Sequence, residues 1–330
     1  MKKKVMLLFG GRSSEHDVSL MGYEYVADLL GGTTFDILPV YIDRGGVWHL
    51  GDKDGEVAYP TARGGGSLYT ENGFIKVDVA FPLLHGEWGE DGRIQGALDV
   101  AGIPYVGADA TASAVCIDKA YTKAVASTLG IPTVESVTFS GPTDTEAAYE
   151  RCLTSLGLPL FIKPRRLGSS VGAYPVYTED DFHNCFPQAM QKGDSAVIVE
   201  KLVRNKRELE CAFYEAGKQR LVTAPGEILV DGFYGYSEKY GGRTATVPRA
   251  DIEASTGERI RIYADALAGA LGLRHLARID FFLTEDGIFF NEVNTMPGFT
   301  RESLYPKMLE AAGIRPRDAL TSLVEDALGC

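Results

Sequence analysis

At 330 residues, with 45% hydrophobic and 24% charged residues, the chain has the length of two or three modest domains and the composition of an ordinary folded, soluble protein. It carries neither the polar bias of disorder nor a membrane-like apolar excess, and no apolar stretch approaches the ~18 residues needed to span a bilayer. A formal net charge of -12 argues against broad attraction to nucleic acid or anionic lipid, although a local basic cleft can still hold phosphates.

The opening Met1-Lys2-Lys3-Lys4 has the charged start of a signal peptide, but the apolar run Val5–Phe9 is too short for its core and reads as a first β-strand. From Met1 to Asp118, apolar runs (Val5–Phe9, Phe35–Ile42, Val77–Leu84) alternate with helical segments (Met21–Leu30, Arg93–Ala101). That rhythm predicts a parallel sheet flanked by helices. From Lys119 to Leu209, a helix starting near Lys119 leads to strand-like Pro159–Ile162 and Ala196–Glu200 with a glycine-rich turn between them, a smaller α+β unit. The stretch from Glu210 to Cys330 holds a region rich in Gly, Tyr and acidic residues (Gly226–Tyr240), a helix at Ile252–Leu271, a hairpin at Leu276–Val293 and a closing amphipathic helix. The divisions expected are therefore 1–118, 119–209 and 210–330, and without repeats or low-complexity linkers the units should pack around shared clefts. The cysteines Cys116, Cys152, Cys185, Cys211 and Cys330 are odd in number and lack CxxC spacing, which indicates neither a disulfide framework nor a zinc site and suits reducing cytoplasm.

The most informative local pattern is LARIDFFL-TEDG-IFFNEVN, in which Thr284–Gly287 separates two strand-like runs. With Asp286 at the centre, Asp280 faces Glu292 and Arg278 faces Asn294; residues two apart share a face, so all four converge on one side. Two carboxylates and an amide oxygen suit Mg²⁺, which shares its shell with substrate phosphates and water, and the arginine can hold developing negative charge. A solvated sheet face with cross-strand charge pairs is the alternative.

Directly after the apolar strand Leu158–Ile162 comes Lys163-Pro164-Arg165-Arg166-Leu167-Gly168-Ser169-Ser170-Val171-Gly172, a lysine followed by small residues whose backbone N–H groups can approach an anion. It does not fit the Walker pattern GxxxxGK[ST], and a flexible surface loop is the alternative. Lys119 and Lys239 are further phosphate candidates. Glu200 and Glu208 are carboxylates of the kind that can bind ribose hydroxyls, though any of these residues alone would more often be a surface charge. Strand Val5–Phe9 runs into Gly10-Gly11-Arg12-Ser13-Ser14-Glu15, where a helix should start under Ser or Asp caps. A second turn, Leu84-His85-Gly86-Glu87-Trp88-Gly89-Glu90-Asp91-Gly92, puts His85 where a cleft can open. Neither turn has the GxGxxG spacing of a dinucleotide fold, which disfavours a nicotinamide-dependent dehydrogenase.

Together these pieces closely resemble the D-alanine–D-alanine ligase family of the ATP-grasp superfamily. The resemblance covers nearly the whole chain and rests on FGGRSSEHDVSL, LLHGEWGEDGRIQGALDVAGIPYVG, KPRRLGSSVG and ARIDFFLTEDGIFFNEVNTMPGFT, in family order. It implies α/β and α+β units in a three-domain ATP-grasp architecture, with an N-terminal parallel-sheet (pre-ATP-grasp, Rossmann-like) domain. It implies ATP between the second and third units, with Lys119 and Lys163 on phosphates, Lys239 nearby, and Ser169 and Ser170 in the covering loop. Glu200, Lys201 and Val203 would lie beside adenine and Glu208 on the ribose. Asp280, Glu292 and Asn294 would hold two Mg²⁺ ions, with Mn²⁺ as an alternative and K⁺ as a candidate monovalent ion.

By the same resemblance, ATP phosphorylates the first D-alanine and the second attacks the acylphosphate, while Arg278 and the backbone at Gly298 stabilise the tetrahedral anion. Glu15 would bind the first ammonium, with His85 near its carboxylate; Glu15, Ser169 and Tyr240 would link the three domains; Ser303 would bind the second carboxylate and Leu304 shape its pocket. Loops Gly168–Gly172 and Asp231–Tyr240 would be lids. The resemblance further implies a cytoplasmic homodimer making peptidoglycan precursor, without nucleic-acid or membrane partners. Tyr240 and Leu304 favour D-alanine as acceptor, whereas the stretch Glu15–Ser19 also resembles some D-alanine–D-serine ligases. Arg165, Leu167, Arg301 and Glu302 depart from the usual family pattern, where smaller or differently charged residues stand. A non-catalytic nucleotide-binding regulator is the reading from another class, and the complete set of acidic metal positions argues against it.

Overall fold

A computed structural model describes residues 2–193, 195–229 and 245–329. The run Val5–Phe9 is apolar at every position, as a strand buried on both faces requires. It lies within Lys4–Gly10, which pairs in parallel with Asp36–Ile42 on one side and Val79–Pro82 on the other; Trp48–Leu50 adds an antiparallel edge. Its side chains part between two cores. Val5 and Leu7 join Val26 and Leu30 of the helix His16–Leu30, whereas Met6 and Leu8 join Ile94 and Leu98 of the helix Arg93–Ala101. Helices thus cover both faces of the sheet, which directs the loops after Gly10 and Pro82 into one crevice at its carboxyl end.

The next sheet is antiparallel, in the order Tyr174–Val176, Leu160–Pro164, Ala196–Lys201, Ser136–Ser140, and helices Thr145–Leu156 and Glu179–Lys192 share its core through Tyr149, Cys152, Phe182 and Phe186. The third is six-stranded and built around Arg207–Ala216, Leu276–Thr284 and Gly287–Asn294. One face packs on the helix Ala254–Ala270 through Ile260, Ala264 and Leu267. The other supplies Ala212, Tyr214 and Leu276 to a core that also contains Val5, Leu7, Val26, Tyr305 and Leu323. First and third units are therefore welded by shared apolar burial, the strongest non-directional term in folding.

Several expectations shift. The division between 209 and 210 falls inside the continuous strand Arg207–Ala216. The helix Lys119–Thr128, expected to open the second unit, packs Ala126 into the core of the third. The first helix begins at His16, five residues before the apolar segment Met21–Leu30, and has no Ser or Asp cap: Glu15 occupies the N-cap position without a side-chain cap bond, while Ser13 Oγ accepts from the Glu15 N–H and donates to the carbonyl of His85. The single closing helix is two, Leu304–Ala311 and Pro316–Ala327; Gly313 in a left-handed conformation (φ 89°) and Pro316 at the start of the second enforce the break. A small antiparallel sheet, Tyr59–Thr61, Ser67–Thr70 and Gly73–Lys76, had no apolar pattern strong enough to announce it. Cys116, Cys152, Cys185 and Cys211 are free thiols, and among the described residues no helix is long and apolar enough to cross a membrane.

Candidate active site

The hairpin brings its four polar residues together. Arg278 pairs with Asn294 and Asp280 with Glu292, as the sequence predicts, but through a device it did not reveal. Near the turn the register is Thr284 opposite Gly287 and Phe281 opposite Phe290; it shifts between Phe281 and Asp280, leaving Asn291 as a bulge residue. Without that extra residue Glu292 would oppose Ile279 and point to the other face. Asn291 is not idle, since its Oδ1 accepts from Lys163 Nζ at 3.2 Å.

Each carboxylate of the pair rests against a cation. Arg278 donates to Asp280 through Nε and Nη2, both at 2.8 Å, and its Nε also lies 3.2 Å from Glu210. Burial alone would favour the neutral guanidine, yet Asp280 and Glu210 hold Arg278 firmly charged, its pKa raised well above the ordinary value. Glu292 Oε2 lies 3.1 Å from Lys119 Nζ. Asn294 Nδ2 donates to Asp280 at 3.1 Å. Facing carboxylates plus an amide are hard oxygen donors, a set that fits a divalent ion such as Mg²⁺.

Lys163 stands near the end of the strand Leu160–Pro164, and Lys119 is the first residue of its helix, under an Asp118 cap. Lys119 Nζ donates to the carbonyl of Leu167 at 2.8 Å. Behind them sits Glu200, only 3% exposed, 2.8 Å from Lys163 and 2.7 Å from Lys123. Burial would raise its pKa, but the two ammonium groups outweigh burial and draw it down to about 2. The loop that follows Lys163 is strained where it must turn: Ser169 and Ser170 are both left-handed, with φ of 51° and 57°. A cavity of about 140 Å³ is lined by Lys119, Lys163, Ser169, Glu208, Asp280 and Glu292.

That loop meets the N-terminal crevice. Ser169 Oγ donates to Glu15 Oε1 at 2.5 Å. A Cβ on Gly86 would lie 2.6 Å from Glu15 Oε2, so only glycine lets the carboxylate approach that turn. His85, read as a loop histidine, is buried, with Nδ1 2.9 Å from the carbonyl of Met296. Beside it is Glu90, which the sequence reading passed over: its oxygens accept from the N–H groups of Gly86 and Met296, both at 2.8 Å. Burial, with Glu15 adding to it, pushes the Glu90 carboxyl up to about 7.

A larger cavity of about 900 Å³ is lined by Glu15, His85, Arg278, Gly298, Ser303 and Leu304, and it also reaches Glu90 and Asn294. Ser303 Oγ sits 2.8 Å from Thr300 Oγ1 and accepts the Thr300 N–H at 3.0 Å. Away from these cavities, Lys201 is exposed and paired with Glu135 and Val203 is half-buried, whereas Glu208, on the wall of the smaller cavity, pairs with Lys206 at 2.9 Å. Lys239, Tyr240 and the Asp231–Tyr240 loop lie outside the described residues.

Two family models match the chain. Residues 4–108 match the family description D-ala D-ala ligase N-terminus, and residues 125–325 match D-ala D-ala ligase C-terminus. The chain is 34% identical to the D-alanine–D-alanine ligase of Oceanobacillus iheyensis, covering 99% of this chain and 96% of that protein. Among solved structures it superposes on D-alanyl-alanine synthetase A from Vibrio cholerae with a TM-score of 0.91 at 36% identity over 100% of both chains. It also superposes on the VanG D-Ala:D-Ser ligase of Enterococcus faecalis, with a TM-score of 0.88 at 35% identity over 99% of this chain and 100% of that one.

Proposed function

This chain belongs to the D-alanine–D-alanine ligase family, and on that footing we propose that it joins two D-alanine molecules at the expense of ATP, making the dipeptide used in peptidoglycan precursors. The observation that carries the reading is the gathering of the Asp280–Glu292 pair, the lysines Lys119 and Lys163, and the Glu15–Ser169 contact around neighbouring cavities that share Glu210 and Arg278 as lining residues. Cations for phosphates lie on one side of Arg278 and groups for an amino acid on the other.

The chemistry follows from that division. A carboxylate oxygen of the first D-alanine attacks the γ-phosphorus of ATP, the bond to the bridging oxygen breaks, and ADP leaves. The amine of the second D-alanine then attacks the carbonyl carbon; the C–O bond to phosphate breaks, phosphate departs with that oxygen, and the amine loses a proton. Lys119 and Lys163 hold the phosphates, with Ser169 and Ser170 in the loop above them, and Glu208 takes the ribose. Lys201 and Val203, at and just beyond the end of the strand Ala196–Lys201, border adenine, while Glu200 keeps Lys163 in place. Glu15 binds the first ammonium, His85 lies by its carboxylate, and Ser303 with Leu304 receives the second amino acid.

Asp280, Glu292 and Asn294 would hold two Mg²⁺ ions, or Mn²⁺, which would supply positive charge to offset that of the transferring phosphate. Arg278 and the Gly298 backbone present fixed positive charge and an N–H dipole to the tetrahedral anion, worth most in a site closed to water. A cytoplasmic location and a homodimer belong to the same proposal.

Purified protein incubated with ATP, Mg²⁺ and D-alanine should release ADP, phosphate and D-alanyl-D-alanine in equal amounts. ADP release that does not depend on an amino acid would overturn the reading. The likeness to a D-Ala:D-Ser ligase makes the acceptor worth measuring directly. Leu304 is buried at 5% exposure, an apolar wall beside the acceptor serine. A mixture of D-alanine, D-serine and D-lactate should therefore yield mainly the D-alanine dipeptide, and a majority of the D-serine product would reassign the acceptor.

A further inference from the structure

Arg165 stands where the family resemblance leads one to expect a smaller or differently charged residue, yet it is 7% exposed and every polar group of its side chain is engaged. Its Nε and Nη2 donate to the two oxygens of Asp118 at 3.0 and 2.8 Å, and its Nη1 donates to Ser140 Oγ at 2.8 Å. Its backbone N–H donates to Ala196 and its carbonyl accepts from the N–H of Lys119, both at 3.0 Å. Asp118, with no exposed surface, also caps the helix by accepting from Ala120 N–H and takes a further bond from the more exposed Arg166.

Two bodies meet here. Ser140 and Ala196 belong to the central sheet, whereas the helix that starts at Lys119 packs Ala126 into the core of the C-terminal sheet. The chain from Arg165 to Leu167 grips Lys119 at both ends, its amide by the Arg165 carbonyl and its ammonium by the Leu167 carbonyl. We infer that Arg165 is a positioning residue for nucleotide phosphates: its forked contact with Asp118 fixes the helix start to the central sheet and so sets where the Lys119 ammonium stands.

A paired guanidinium holds such a joint in one geometry because its two parallel donors match a carboxylate, which a single ammonium cannot do. Removal leaves Asp118 buried with fewer donors and frees the helix start to rotate against the loop. The inference rests on the reading of Lys119 as a phosphate ligand, and the two are separable by experiment. Calorimetric titrations with ADP and with AMP, each with Mg²⁺, would be made on the wild type, Arg165→Ala, Lys119→Ala and the double variant. Arg165→Gln serves as a second neutral substitution should Arg165→Ala fail to fold.

A residue that positions Lys119 should be read only by the phosphates. The preference for ADP over AMP should fall about tenfold in Arg165→Ala and in Lys119→Ala, AMP affinity should stay at the wild-type value, and the double variant should lose no more than Lys119→Ala does. A neutral variant that keeps the wild-type preference, or losses that add in full, would overturn the inference while leaving Lys119 as a ligand. Wild-type protein that binds ADP and AMP alike would instead sink the phosphate reading, and the inference with it.

Discussion

Replacing Glu200 by glutamine tests the electrostatic base of the nucleotide site. Glu200 lies between Lys123 and Lys163 at 2.7 and 2.8 Å and is nearly without solvent contact. The amide keeps the shape but removes the negative charge that lies between two buried ammonium groups, and breaking a buried pair in that way costs about 3–5 kcal/mol. A second route gives a similar figure. Its carboxyl is drawn down from 4.5 to about 2, a difference of about 2.5 units, or about 3 kcal/mol at about 1.36 kcal/mol per unit. A carboxylate whose folded pKa is depressed stabilises the protein above its unfolded value, and that stabilisation disappears as pH falls through the folded one. Urea unfolding followed by circular dichroism at pH 7 should therefore show Glu200→Gln less stable by about 3 kcal/mol, with the gap to wild type closing between pH 4.5 and 2. Adding Lys123→Met should recover part of the loss, because one stranded ammonium is gone. A variant within about 1 kcal/mol of wild type at pH 7, or a gap that ignores pH, would refute the account of this triad.

Glu292→Gln should lower Mg²⁺-dependent turnover by orders of magnitude in a steady-state assay while leaving the thermal midpoint nearly unchanged, since it removes a charge from a half-buried metal-facing position. Ser169→Ala removes the short bond to the Glu15 carboxylate, and because bonds to charged groups are worth about 1.5–3 kcal/mol, kcat/KM for D-alanine should fall by about ten- to a hundredfold. Glu90 is raised from 4.5 to about 7, so the stability it confers is present below 4.5 and lost as pH rises through 7. The difference in unfolding free energy between wild type and Glu90→Gln should accordingly move in favour of the variant by about 3 kcal/mol from pH 4.5 to 8, and a flat difference would show that the carboxyl is not held as described.

The facing of Asp280 and Glu292 was legible because a strand has a period of two residues and the turn Thr284–Gly287 marks its own place. The correct pairing nonetheless depends on the bulge at Asn291, and an extra residue in a run such as IFFNEVN leaves no mark on hydrophobic alternation. Strand Lys4–Gly10 and helix Ala254–Ala270 were visible because each has a long apolar run or stripe. The first turn of the helix His16–Leu30 is polar and its cap position is given to Glu15, so its start was hidden. Glu90 and Lys123 could not be found from local pattern at all. Their importance comes from partners far along the chain, Met296 for one and Glu200 for the other, and only the folded topology brings those together. The expected division at 209/210 falls inside a strand for a related reason: Arg207–Ala216 opens on polar residues, Arg207 and Glu208, that carry no apolar pattern, and only the folded sheet sets them opposite Leu283 and Phe282.

The central claim is that the carboxylate of one D-alanine is phosphorylated in this cleft before the amide bond forms. D-alanine labelled with ¹⁸O in its carboxyl group, turned over with unlabelled ATP, tests it most directly. Phosphate released in step with dipeptide should carry one ¹⁸O atom per molecule, taken from the donor carboxyl. Unlabelled phosphate accompanying dipeptide formation would mean that activation follows another route, and the roles given to Lys119, Lys163 and Arg278 would fall together.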